Sequence, residues 1–152
     1  MPTLLELRLW TEKNRDFPWD VLRTFLGVCL FLKGLAYLAT PGSLIRLMTD
    51  AHVPLASPGL AEVVAVTHVV GGAALAFGIF TRLAALLQIP NVLGALLFVH
   101  LHTGLFSEAQ TLELDVLVLV MLALFAIGGA GRWSVDWHFE RHTAFGPSRT
   151  SV

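Results

Sequence analysis

The stretch from Thr67 to Leu101 constrains the fold more than any other part of the sequence, because almost every residue in it is apolar or small. Its length suits two helices that each cross a hydrocarbon core of about 30 Å, a distance that requires about 20 residues per helix. Only the turn from Gly78 to Arg82 separates the two helices, and Arg82 carries the one formal charge of the stretch. The pattern therefore predicts a helical hairpin embedded in lipid.

The composition of the whole chain indicates the same solvent. The 152 residues are 55% hydrophobic and 14% charged, with a mean hydropathy of +0.72, whereas a soluble domain is about 25% charged and one of this size could not bury so much apolar surface. A net charge of -1 without a basic block excludes nucleic acid as a partner. Cys29 is the single cysteine, which excludes an internal disulfide and a paired-cysteine redox site.

Four membrane spans are predicted, over residues 21–39, 60–80, 83–102 and 111–127. A short amphipathic helix over residues 43–50, capped by Ser43, is predicted on the membrane surface between the first two spans. Residues 1–20 form an amphipathic N-terminal segment that turns into the bilayer at Phe17–Trp19, and residues 131–152 form an interfacial segment and a tail. The sequence thus predicts one domain, an all-α membrane protein built as a four-transmembrane-helix bundle with short interfacial helices at both ends.

The distribution of basic residues predicts the orientation of the bundle. With four spans, both termini lie on the same side of the membrane, and eight arginines and lysines flank the spans on that side. The opposite loops contribute only Arg46. By the positive-inside rule both termini are predicted to be cytoplasmic, and Arg23, at the entrance of the first span, is expected to extend toward the head groups.

Small residues and one proline predict how the helices pack. Gly72 and Ala76 are four residues apart, a spacing that lets two helix backbones approach closely. We therefore expect this face of the second span to pack against another helix. Pro90 lacks a backbone N–H and frees the carbonyl of Leu86, which predicts a kink in the third span.

Ionisable residues collect in the half of the spans that lies farther from the termini: Lys33, Glu62, His68, His100, Glu113 and Asp115. At a rise of about 1.5 Å per residue, Lys33 lies about 9 Å and His68 about 12 Å from the nearer end of its span. Such residues are costly in lipid and usually face the bundle interior. Lys33, His68, His100, Glu113 and Asp115 are therefore the candidate ligand or proton site.

Three interpretations of this cluster remain open. It could form a proton-active pocket or a pocket for a quinone head group, since histidine titrates near neutral pH and donates to carbonyls. It could instead be a buried ion pair that fixes the helix register, or Lys33 could extend outward to the head groups. The specific expectation is an ammonium of Lys33 within salt-bridge reach of Glu113 or Asp115 and close to His68.

The other polar residues of the spans are given structural roles. Gln88 and Asn91 flank Pro90 and are expected to form hydrogen bonds between helices or to the freed carbonyl. Arg82 is expected to anchor its turn to head groups or to helix carbonyls. His100 and His102 are two residues apart and point to different helix faces, which argues against a metal ion shared by them. Histidines on different helices could ligate haem, but nothing else in the sequence supports haem. The chain contains no GxSxG, HExxH or nucleotide-binding loop.

Three short motifs carry a resemblance to a known family. They are Leu26-Gly27 with Lys33-Gly34, then Gly71-Gly72 followed by the run GIFTRLAA over residues 78–85, and GRWSVD over residues 131–136. With these motifs the chain resembles the DoxX family over about residues 20–137. His68 stands where members often have a glutamate, and Tyr37 where many have a lysine, which indicates a subfamily.

The resemblance implies a multi-pass protein of the bacterial inner membrane. Some DoxX relatives are subunits of thiosulfate:quinone oxidoreductase, and others are linked to membrane redox assemblies. The expectation is an accessory or anchor subunit of a quinone-linked redox system, with the bilayer and redox-enzyme subunits as partners and quinone rather than haem as the ligand to test. The alternatives are a non-catalytic scaffold or assembly protein, and a transporter of protons or small solutes that works as a homo-oligomer.

Overall fold

The computed structural model describes residues 17–100, 111–129 and 134–135, and all regular structure within these ranges is helical. The elements are α1 (Phe17–Ala39), α2 (Pro41–Asp50), α3 (Pro58–Phe77), α4 (Thr81–Gly94), a π-helical segment (Ala95–His100) and α5 (Thr111–Gly128). The predicted all-α class is confirmed. Three predicted parts lie outside the described residues: residues 1–16 of the N-terminal segment, the loop around His102, and residues 131–152 apart from Ser134 and Val135.

Three helices among the described residues are long and apolar enough to cross a membrane: Phe17–Ala39, Pro58–Phe77 and Thr81–Val99. They correspond to the first three predicted spans, and the third combines α4 with most of the π-helical segment. α5, with 18 residues, stands at the position of the fourth predicted span. The chain is therefore a helical membrane protein.

α1 and α2 begin earlier than predicted, and proline explains both starts. α1 begins at Phe17 rather than at Val21, because Pro18 fits the first turn of a helix, where its missing N–H is not needed. The predicted turn at Phe17–Trp19 was therefore wrong. α2 begins at Pro41 for the same reason, two residues before the predicted cap at Ser43.

Ser43 does not cap α2. The cap residue is Thr40, which makes no side-chain capping bond, and the Ser43 hydroxyl instead donates to the Thr40 carbonyl at 2.7 Å. α3 does have a side-chain cap, because the Ser57 hydroxyl accepts from the backbone N–H of Leu60 at 3.2 Å.

The most extensive helix contact joins α1 to α3, and it is made through glycines. A Cβ placed on Gly72 would lie 2.8 Å from the Cα of Phe31 and 2.9 Å from the carbonyl oxygen of Gly27. Gly34 is equally close, since a Cβ there would lie 2.7 Å from the backbone nitrogen of Val69. The backbones of α1 and α3 are thus in direct contact, at the face that Gly72 and Ala76 were expected to provide.

The second half of the bundle pairs α4 with α5, and α3 joins the two halves by packing on α4. The centre consists of fully buried side chains, namely Leu75, Ala85, Leu122 and Phe125. This core lies between the two ends of the bundle. We call them the α2 end, where α2 lies, and the Gly78 end, where α3 turns into α4.

Arg23 lies at the Gly78 end and is only 1% exposed. Its Nη1 donates to the carbonyls of Leu75 and, at 3.0 Å, of Ala76, and its Nη2 lies 3.3 Å from a carboxylate oxygen of Asp20. These carbonyls lie in the last turn of α3, where no further helical turn follows to donate to them, and that of Leu75 also accepts from the Gly78 N–H at 3.2 Å. The expectation that Arg23 extends to the head groups was therefore wrong.

The turn after α3 leaves room for this arginine. Gly78 has φ +69° and ends the helix in the left-handed region. A Cβ at Gly78 would lie 2.8 Å from Nη1 of Arg23. Glycine is therefore required here both by the backbone conformation and by the guanidinium that packs on it.

Candidate functional site

A cavity of about 280 Å³ lies at the α2 end, between α1, α3, α4 and α5. Its wall is mostly apolar, and five polar or ionisable side chains interrupt it: Lys33, Tyr37, His68, Asn91 and Asp115. An apolar cavity of about 150 Å³ is sufficient to hold benzene. The cavity therefore has room for a substituted aromatic ring.

α2 forms one wall of the cavity. Its residues Leu44 and Met48 are buried, and they pack with Ala61 and Ala65 of α3. Leu44, Leu47 and Met48 all line the cavity. The apolar face of α2, from which a helix on the membrane surface was predicted, therefore covers part of the cavity.

Another wall comes from the third span, at the point where its helix changes form. Pro90 cannot donate a backbone hydrogen bond, and the helix widens into the π-helical segment five residues later. Ala95 and Phe98 of that segment line the cavity. π-helical turns often occur at functional sites, and here one forms part of the cavity wall.

The structure brings together three of the five candidate site residues. Lys33 from α1, His68 from α3 and Asp115 from α5 all line the cavity. Glu113 is half-buried but is not part of the wall. The backbone of His100 ends the π-helical segment, and its side chain lies outside the described residues.

The expected ion pair of Lys33 was wrong. Within the described ranges, Lys33 makes no salt bridge with Glu113 or Asp115 at the 4.0 Å limit. Asp115 is 6% exposed, whereas Lys33 is exposed on the wall. The long side chain of a lysine allows its ammonium to stay apart from a buried carboxylate, so the amine remains available to a ligand.

His68 is buried, at 4% exposure, and its hydrogen bonding fixes the roles of its two ring nitrogens. Nδ1 lies 2.9 Å from the carbonyl oxygen of Val64. A carbonyl only accepts, so Nδ1 carries the hydrogen in the neutral ring and Nε2 is left as an acceptor. The ring of Tyr37 contacts the imidazole edge-on, with centroids 5.8 Å apart and planes at 83°.

Gln88 connects α4 to α3 directly behind His68. It is fully buried, and its Nε2 donates to the carbonyls of Thr67 at 3.1 Å and His68 at 3.4 Å. These two carbonyls require a donor, which fixes the orientation of the amide. Asn91 follows three residues later and lines the cavity. Its Nδ2 is buried and has no hydrogen-bond partner in the part of the chain that the structure describes.

Arg82 lies away from the cavity, at the Gly78 end. Its Nε would be 3.0 Å from a Cβ placed on Gly129, the residue that follows α5. The indole of Trp19 donates to the Gly129 carbonyl at 3.2 Å, and its ring lies 4.6 Å from that of Phe125. Trp19 thus joins the end of α5 to the start of α1, and Arg82, at the start of α4, lies beside the same residue.

The sequence reasoning missed Tyr37 and Asn91 as members of the cavity wall. The signal for Asn91 was present, since it follows Pro90 and stands one turn after Gln88. Gln88 and Asn91 were, however, given the structural role of hydrogen bonding between helices or to the freed carbonyl. The wall now offers donors from Lys33 and Asn91 and an acceptor from His68. No group of three or more His, Cys, Asp or Glu side chains that could hold a metal occurs among the described residues. The arrangement suits a mainly apolar ligand with oxygen substituents.

Comparison with known proteins gives one match. A family model, that of DoxX, matches residues 19–101. No curated protein and no solved structure matches the chain. The matched residues contain α1 from Trp19 onward, α2 to α4 and the π-helical segment, and therefore every wall of the cavity except that of α5.

Proposed function

The chain belongs to the DoxX family, and from this membership we propose that it serves as an accessory or anchor subunit of a quinone-linked redox system. The observation that carries the proposal is the cavity at the α2 end. Its apolar wall suits a quinone ring, and Lys33 and Asn91 supply donors for carbonyl oxygens. A partner subunit would deliver the electrons, while this bundle would hold the quinone within the membrane.

The cavity also separates this proposal from the alternatives. A scaffold or assembly protein requires only a bundle filled by its own side chains, and the cavity of about 280 Å³ does not fit that description. A transporter requires a path that crosses the bilayer. In the described residues, the side chains of Leu75, Leu122 and Phe125 fill the bundle between the cavity and the Gly78 end.

Filling the cavity is expected to weaken quinone binding. Ala95 lines the cavity, and Ala95→Trp would place an indole where the ring of the ligand lies. We expect affinity for a 1,4-benzoquinone with a decyl tail to fall at least about tenfold, or by about 1.4 kcal/mol. Equilibrium binding to the purified protein in lipid nanodiscs would measure this change.

The matched control is Ala123→Trp, which adds the same side chain at an exposed position of α5. This variant is expected to bind the quinone as the unmodified protein does. Equal affinity of the Ala95 variant and the control would contradict the proposal, as would a protein that binds no quinone at all.

We also propose that α5 is the fourth span of a bacterial inner-membrane protein with both termini in the cytoplasm. The eight-to-one distribution of basic residues supports this topology. In a Cys29→Ser background, an impermeant thiol reagent added outside spheroplasts is expected to label Ser57→Cys and to leave Ser148→Cys unlabelled. Labelling of Ser148→Cys from the outside would rule this orientation out.

A further inference from the structure

We propose that the cavity selects the reduced, hydroxyl-bearing form of its aromatic ligand, a hydroquinone or phenol, over the oxidised carbonyl form. The inference rests on the proposed function, because it takes the cavity to be a site for a quinone-type head group. It adds which redox state of that ligand the wall residues favour. The argument depends on the hydrogen-bonding roles of three side chains on the wall.

The acceptor on the wall is Nε2 of His68. Nδ1 is committed to the carbonyl of Val64 at 2.9 Å, so Nε2 of the neutral ring has a lone pair and no hydrogen. Tyr37 touches the ring by its edge and forms no hydrogen bond with it among the described residues. A bound carbonyl oxygen would place its lone pairs against that of Nε2. A bound hydroxyl can donate to it.

The donors on the wall are Lys33 and Asn91. The Lys33 ammonium has no ion pair within the described ranges, and Nδ2 of Asn91 is buried there without a partner. Both forms of the ligand can accept from these groups, because a hydroxyl oxygen and a carbonyl oxygen both have lone pairs. The donors therefore support binding of either form and do not discriminate between them.

Only the reduced form satisfies the donors and the acceptor together. A hydroxyl accepts from Lys33 or Asn91 while it donates to His68, whereas a carbonyl leaves Nε2 unpaired. A site that offers a hydrogen bond to a hydroxyl discriminates strongly against an analogue that lacks one. Discrimination therefore depends on His68, and affinity for both forms depends on Asn91.

The test compares two redox states of one probe. The purified protein in nanodiscs is titrated anaerobically with a decyl-substituted hydroquinone and, separately, with the corresponding quinone. We expect the hydroquinone to bind at least about tenfold more tightly. His68→Phe, which keeps a flat ring and removes the acceptor, should bring the ratio of the two affinities close to one. His68→Gln, whose amide can accept from a hydroxyl or donate to a carbonyl, should also reduce the preference.

Asn91→Leu serves as the comparison variant. It removes a donor that both forms use, so both affinities should fall while their ratio is retained. A thermal unfolding measurement on each variant identifies any that fails to fold, and His68→Gln keeps the test decisive if the phenylalanine variant does so.

The outcomes separate the inference from the proposed function. If the unmodified protein binds both forms equally, or binds the quinone more tightly, the inference is overturned and the quinone site stands. Retention of the preference in His68→Phe overturns the role of His68. If neither form binds, the proposed function fails as well.

Discussion

Gly72→Leu is expected to lower the free energy of unfolding by about 3 kcal/mol, at the upper end of the effects of overpacking. The reason is the direct contact between the backbones of α1 and α3. A Cβ added at Gly72 would lie 2.8 Å from the Cα of Phe31, and a backbone atom cannot move aside as a flexible side chain would. Unfolding by denaturing detergent in mixed micelles, followed by circular dichroism, would measure the change.

The control lies in the same helix. Gly59 stands in the first turn of α3, and a Cβ there would meet nothing within 4 Å. Gly59→Leu should therefore leave the unfolding curve nearly unchanged, while Gly72→Ala should already shift it. The packing described for α1 and α3 would be refuted by equal curves for the two leucine variants.

Arg23→Leu is expected to destabilise the protein by about 3–5 kcal/mol, the range typical for removing one partner of a buried charge pair. The guanidinium joins the first turn of α1 to the last carbonyls of α3, and its charge suits the negative end of a helix dipole. Arg23→Lys keeps the charge but lacks the planar fork, so we expect an intermediate loss. The same detergent titration would measure both variants.

Arg46→Leu is the matched control, since Arg46 is an exposed arginine on α2, and little change is expected from it. Combining Arg23→Leu with Asp20→Asn tests the pair itself. Because Asp20 lies 3.3 Å from the guanidinium, the double variant should lose less stability than the sum of the two single variants. Simple additivity would show that the two side chains do not interact.

Segment length and hydropathy were enough to predict the membrane helices, because about 20 apolar residues in a row have few other uses. The starts of α1 and α2 were harder to predict. The predicted starts lay after Pro18 and Pro41, whereas proline is accepted in a first turn. Arg23 was assigned to the interface because a sequence pattern does not reveal acceptors that lie 52 residues away on another helix.

The candidate site was likewise predicted only in part. Rise per residue is sufficient to place Lys33, His68 and Asp115 at a similar depth. Depth does not determine rotation about the helix axis, and Glu113, two residues before Asp115, is therefore not on the wall. The ion pair of Lys33 was predicted from the energetic cost of a lone charge, which does not determine where a flexible side chain places its ammonium.

The contact between Arg23 and the end of α3 also has a consequence for biosynthesis. The acceptor carbonyl of Leu75 follows Arg23 by 52 residues, so at about 5–20 residues per second it leaves the ribosome roughly 3 to 10 seconds later. During that interval α1 has neither its arginine acceptors nor the glycine face of α3. We expect α1 to be retained by the insertion machinery or a chaperone until α3 arrives, so that the two helices are released into the bilayer as a pair.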